Sequence, residues 1–132
     1  FELSKRVMEQ NSDTANKRNF NEPTPYKIVN LYHRQGETDP AEILVFRLGP
    51  IGLVGLPGET FVENGFDIKN HSLFEPTLVI GITGGYMGYI PHPRGYDEVG
   101  YEATYGSARY SPETPVIWCE TAANLLNQLY HQ

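Results

Sequence analysis

The sequence predicts an α/β fold: a mixed sheet built from a βαβ unit and a β-hairpin, covered by helices that include a C-terminal amphipathic helix. Three observations predict it. Two short apolar runs, IGLVGL (51–56) and TLVIGIT (77–83), have strand length and flank a segment with helical spacing. Two β-rich segments, KIVNLYH (27–33) and AEILVFRL (41–48), flank the turn cluster QGETDP and together describe a hairpin with a longer loop. Near the C-terminus, Trp118, Ala122, Leu125, Leu126 and Leu129 fall on one helical face, which is expected to cover the sheet.

In chain order, residues 1–10 are expected to form a short helix. Glu9 to Pro25 holds four Asn, two Pro and no apolar periodicity, so 1–25 reads as a helix plus an irregular surface connection. The hairpin follows. After Gly49-Pro50, the strand 51–56 ends at Pro57-Gly58. ETFVENGFDIKNH (59–71) then places Phe61, Val62, Gly65, Phe66 and Lys69 at helical spacing, and the next strand follows Pro76. Strand, helix and strand form a βαβ unit, whose strands run parallel. Residues leaving the carboxyl ends of both strands emerge on one sheet edge, where open α/β sheets bind ligands. Glu59 on one side and Tyr86 and Tyr89 on the other should therefore converge. For the last helix, Ser111 or Thr114 can cap and Pro112 or Pro115 suits the first helical position.

A length of 132 residues allows one domain, or a piece of a larger one, over residues 1–132. The net charge is −6 and Lys and Arg nowhere cluster, which argues against a nucleic-acid partner. Mean hydropathy is −0.42, and no apolar run approaches the roughly 20 residues of a membrane span, so a soluble body is expected. The single cysteine, Cys119, excludes an internal disulfide and a Cys-based zinc site; in a helical pattern it reads as a small buried hydrophobe. The chain opens Phe1-Glu2-Leu3, with no initiator Met and no signal segment, and is read as a piece of a longer protein.

Six of the nine tyrosines lie between Tyr86 and Tyr110, downstream of the Leu-Pro-Gly-Glu turn. A phenol can ligate a metal, hydrogen-bond an oxyanion or stack on an apolar ligand, so tyrosines beside a Gly-framed carboxylate mark a candidate site. Pro57 and Gly58 force a sharp exit from the strand, and Glu59 is expected in the first turn of the next helix, held by the helix dipole. There it suits a hard metal ligand or a general base, and equally an ordinary helix start. Glycines at 81, 84, 85 and 88 follow neither G-x-G-x-x-G nor Walker spacing, so a nucleotide site is not expected; they let Tyr86 and Tyr89 turn inward. His33, His71, His92 and His131 lack H-x-x-x-H or H-x-x-H spacing, and Asp97, Glu98 and Glu102 read as a solvated loop. Two further readings stay open: a Tyr-rich ligand- or carbohydrate-binding module, and a packing surface for a missing segment that would expose a large apolar patch.

PGE at 57–59 followed by GYMGYIPHPRGYDEVGYEATYG at 85–106 resembles the neutral/alkaline (non-lysosomal) ceramidase family. The final helix, ending LLNQL, is similar to that of the family's catalytic domain. The likeness covers roughly residues 41–132. It implies the C-terminal part of a zinc-dependent amidase that cleaves ceramide, an N-acylsphingosine, to a sphingoid base and a fatty acid. By position, Glu59 would be the carboxylate ligand of zinc and Tyr89 the phenolic ligand, with Tyr101 contacting the substrate carbonyl oxygen. Two histidines from the missing N-terminal part of the same domain would complete the metal site, so the isolated chain should be inactive. The expected substrate is a lipid amide, and a secreted or periplasmic setting is implied. The family's Thr-Thr after the ligand Tyr is replaced by Pro91-His92, which changes the site wall. With no immunoglobulin-like segment in the sequence to Gln132, the resemblance leads to the expectation of a short bacterial-type relative.

Overall fold

The computed structural model describes Glu2, Lys5, Arg6 and residues 24–132 apart from Val99 and Tyr105. The chain forms two compact units, Phe1–Asp39 and Pro40–Gln132. In the first, Glu2, Lys5 and Arg6 are helical, as expected near the start; most of the expected connection lies outside the described residues. Helix α1 spans Thr24–His33, so KIVNLYH is not a strand. Pro25 opens the helix, and Ile28 and Leu31, three apart, share its half-buried side; this periodicity outweighs the weak β-preference of Ile, Val and Tyr. After α1, the Arg34 guanidinium bonds Glu37 at 2.7 Å and Asp39 at 2.9 Å.

The second unit carries a three-stranded mixed sheet in the order β1 (Leu44–Leu48), β2 (Ile51–Gly55), β4 (Thr77–Ile80), and a two-stranded sheet of β3 (Glu59–Thr60) and β5 (Tyr89–Ile90). Strand β1 (Leu44–Leu48) pairs antiparallel with β2 (Ile51–Gly55), with Leu48 opposite Ile51. The hairpin therefore exists, but between different partners from those expected: Gly49, at φ 59, and Pro50 reverse the chain within two residues. Strand β4 (Thr77–Ile80) lies parallel to β2, and helix α2 (Val62–His71) connects them, as the βαβ reading requires. The helix starts three residues later than expected, because Glu59–Thr60 form β3; strand β5 is Tyr89–Ile90. The buried residues of α2 are Asn64 and Ile68, whereas Val62 and Phe66 are exposed.

Helix α3 (Thr114–Tyr130) buries Trp118, Cys119, Ala122, Ala123 and Leu126. Pro115 occupies its first turn, as expected, while Glu113 takes the N-cap without a side-chain bond, so neither Ser111 nor Thr114 caps it. Val54, Leu56, Ile68, Phe74, Ile90, Trp118 and Leu126 form the core between sheet and helices. Asn127 ties the two helices together: its Nδ2 donates to His71 O and its Oδ1 accepts from Leu73 N, both at 2.9 Å. The bond to His71 satisfies a carbonyl that the end of α2 would leave free.

Strand alternation puts Val45, Val54 and Val79 against the core and the other row of side chains on the opposite face. That row is apolar throughout: Phe46 pairs with Leu53, and Leu53 with Leu78, while Leu48 pairs with Ile51. Phe46, Leu48, Leu78 and Ile80 are 47–64% exposed. Parallel strands are ordinarily covered on both faces, and a contiguous apolar surface of this kind marks a place where another layer belongs. No described helix is long and apolar enough to cross a membrane.

Candidate functional site

Strands β2 and β4 end side by side, and the segments that leave them are stitched together by backbone hydrogen bonds. Leu56, Pro57 and Gly58 are buried, so their polar groups need internal partners. Thr83 N donates to Leu56 O (2.9 Å), Met87 N to Pro57 O (2.7 Å) and Ile82 N to Gly58 O (3.1 Å). Glu59 N then donates to Gly88 O at 2.9 Å and Phe61 N to Ile90 O at 3.3 Å, which extends the contact into the parallel β3-β5 pair. In its register Glu59 stands opposite Tyr89. The expected convergence of Glu59 and Tyr89 is present, and a second small sheet beyond the main one creates it.

Glycine permits this approach at two positions. A Cβ on Gly58 would lie 2.9 Å from Ile90 Cγ1 and 3.0 Å from Gly88 O, and Gly88 itself has φ +82. Glu59 lies in an extended strand, not in the first turn of a helix; Phe61 is the N-cap of α2 and Glu63 the acidic residue of its first turn. The helix dipole therefore does not hold Glu59. Its place is set by strand pairing and by a phenol: Tyr86 Oη donates to Glu59 Oε1 at 2.7 Å.

Tyr89 and Tyr101 meet edge to face, with ring centroids 5.5 Å apart and planes at 77°. Tyr101 opens a 3₁₀ turn, Tyr101–Ala103, and is 67% exposed, so its phenol is open to an incoming molecule. Burial pushes the Tyr89 phenol up to about 12, with the Glu59 carboxylate and Tyr101 adding to the shift. Tyr86 is raised as well, chiefly by its hydrogen bond to Glu59. Both phenols keep their protons at neutral pH, and they bracket one carboxylate.

The structure thus brings together Glu59, Tyr86, Tyr89 and Tyr101, and the meeting of Glu59 with both Tyr86 and Tyr89 is as expected. The Tyr86 bond to Glu59 was not readable from spacing, because it spans 27 residues and depends on how the 81–88 loop folds back. His92 turns away from this group: its Nε2 lies 3.3 Å from Asp67 on α2, and its Nδ1 accepts from Arg94 N at 3.2 Å. Asp97 and Glu98 are exposed. Asn64, absent from the sequence reading of the site, is 1% exposed and donates from Nδ2 to Ile90 O at 2.9 Å, which anchors the strand that carries Tyr89.

Among the described residues no group of three or more His, Cys, Asp and Glu is placed to hold a metal ion. Glu59 and Tyr89 supply two oxygen donors on neighbouring strands. A four-coordinate zinc centre would accept both and would need two more from elsewhere. A positive charge between the two oxygens would offset the repulsion by which Glu59 raises the Tyr89 phenol.

No family model matches the chain, and a search of curated proteins gives no significant match. Two solved structures resemble it in fold. One is a ceramidase complexed with C2, at 23% identity and a TM-score of 0.55, covering 67% of this chain. The other is the neutral ceramidase of Pseudomonas aeruginosa, at 23% identity and a TM-score of 0.54, covering 66%. The chain spans 15% of the length of each. It shares the fold of one part of these larger proteins.

Proposed function

We propose that this chain is part of the catalytic domain of a zinc-dependent amide hydrolase of the neutral-ceramidase type. The observation that carries the reading is the register of Glu59 with Tyr89: the two residues that the resemblance names as zinc ligands are strand partners. Likeness in fold to a part of ceramidase structures supports it. In this reading Glu59 and Tyr89 hold the metal together with two histidines outside the chain. Bound zinc would lower the pKa of a coordinated water toward neutrality and polarise the amide carbonyl.

The chain's own groups do the rest. Glu59 supplies negative charge to the cation and Tyr89 a phenolic oxygen. Tyr101, edge to face with Tyr89 and open to solvent, would donate its hydroxyl to a carbonyl oxygen that gathers charge during attack; such a donor is worth about 10²–10³ in rate. The substrate is a linear lipid amide, cleaved to an amine and a fatty acid. The exposed apolar side chains Phe46, Leu48, Leu78 and Ile80 support the view that another part of the domain packs there and that the isolated chain is inactive.

The test uses the full-length protein and its Glu59→Ala variant. Zinc is measured by mass spectrometry, and hydrolysis of a fluorescent ceramide is followed on the same samples. Near-stoichiometric zinc and turnover, both lost in the variant, are expected. Zinc without ceramide turnover would keep the metal site and discard the substrate. A wild type without zinc would remove the hydrolase reading and leave the tyrosines as a binding surface.

A further inference from the structure

The phenol of Tyr86 donates a short hydrogen bond to the Glu59 carboxylate, at 2.7 Å from Oε1, and the Tyr89 phenol hydrogen-bonds the same carboxylate. The two residues sit on segments that cannot easily drift apart. The 81–88 loop is bonded to the 56–59 connection through Ile82, Thr83, Met87 and Gly88, each by a backbone hydrogen bond of 2.7–3.1 Å. Tyr86 is 60% exposed, so packing against the core does not explain where its ring points. A phenol on such a loop could turn freely to water; here it turns to the carboxylate.

A carboxylate has two oxygens and can meet a cation with one or with both. A donor fixed on one oxygen decides between them, since that oxygen's charge and lone pairs are already engaged. We propose that Tyr86 is the positioning residue of Glu59: by holding Oε1 it leaves Oε2 as the single oxygen offered to a divalent cation. The inference rests on the metal-binding reading above. It assigns to a residue outside the ligand set the choice between one-oxygen and two-oxygen coordination.

In the full-length protein, Tyr86→Phe keeps the ring and removes only the donor. Tyr96→Phe is the control, because its hydroxyl bonds Tyr110 O at 3.4 Å and does not touch Glu59. Zinc affinity is measured by chelator competition, the ligand shell by X-ray absorption, and the metal-free melting temperature alongside. The expected result is a zinc affinity about 10–100-fold weaker in Tyr86→Phe, with a second carboxylate oxygen entering the shell, an unchanged metal-free melting temperature and no change in Tyr96→Phe. Zinc held by Tyr86→Phe with wild-type affinity and shell overturns the inference while leaving the proposed function intact. A lowered metal-free melting temperature that accompanies weaker zinc binding makes Tyr86 structural and also overturns it. A wild type that binds no zinc removes both.

Discussion

Glu59 and Tyr89 face each other across a parallel strand pair only two residues long, and the backbone of Glu59 reaches Gly88, immediately before its partner. A pair so short has little cohesion of its own. Its geometry is set by what lies around it: the buried Gly58 on one side and Ile90, fully in the core, on the other.

Gly58→Ala tests that dependence. The new methyl would sit 2.9 Å from Ile90 Cγ1 and 3.0 Å from Gly88 O, and a backbone oxygen cannot swing away as a flexible side chain does. Overpacking of this kind costs about 1–3 kcal/mol. The urea midpoint of the chain is expected to fall accordingly; an unchanged midpoint would show that β5 yields without strain and that the register is softer than its bonds imply.

Tyr89 gives the pH dependence. Folding raises its phenol from an ordinary 10.0 to about 12, by burial first and then by Glu59 and Tyr101. The folded state therefore holds the proton more tightly than the unfolded chain, and the associated stability is intact below pH 10 and lost as pH climbs through 12. In a tyrosinate absorbance titration, Tyr89→Phe should remove a phenol that ionises late. The stability of the wild type relative to the variant should be flat below pH 10 and decline above it; a flat difference throughout would place Tyr89 in a solvent-like setting.

Cys119 gives the third test. It is 8% exposed in the core, its thiol donates to Asn64 O at 3.4 Å, and burial, with Asp67 and Glu120 nearby, pushes its pKa up to about 11. Thiolate is the reactive form, so a thiol reagent near neutral pH should leave the native protein unlabelled and modify it fully in urea. Rapid native labelling would mean that α3 opens locally from the core.

Legibility differed by element for physical reasons. The runs 51–56 and 77–83 and the stripe on α3 were readable because burial on a sheet or helix imposes a period on the sequence itself. Residues 27–33 misled because the β-preference of Ile, Val and Tyr is weak and yields to helical periodicity, with Ile28 and Leu31 on one side of α1. In α2 the visible stripe ran through Phe66, yet the core took Asn64 and Ile68, because a polar residue can be buried when a distant carbonyl, here Ile90 O, accepts from it.

By itself the sequence determined the fold class, the βαβ unit, the last helix and the meeting of Glu59 with Tyr89, since strand polarity carries the ends of parallel strands to one edge. Only the tertiary structure decided that Glu59 belongs to a strand and not to a helix start, that Tyr86 grips its carboxylate, that His92 turns to Asp67, and that one sheet face carries exposed apolar side chains. Those features rest on contacts between residues 25 or more positions apart, or on the pairing of whole strands. Local preference cannot encode them, because the energies that choose between such arrangements arise only once the chain has closed on itself.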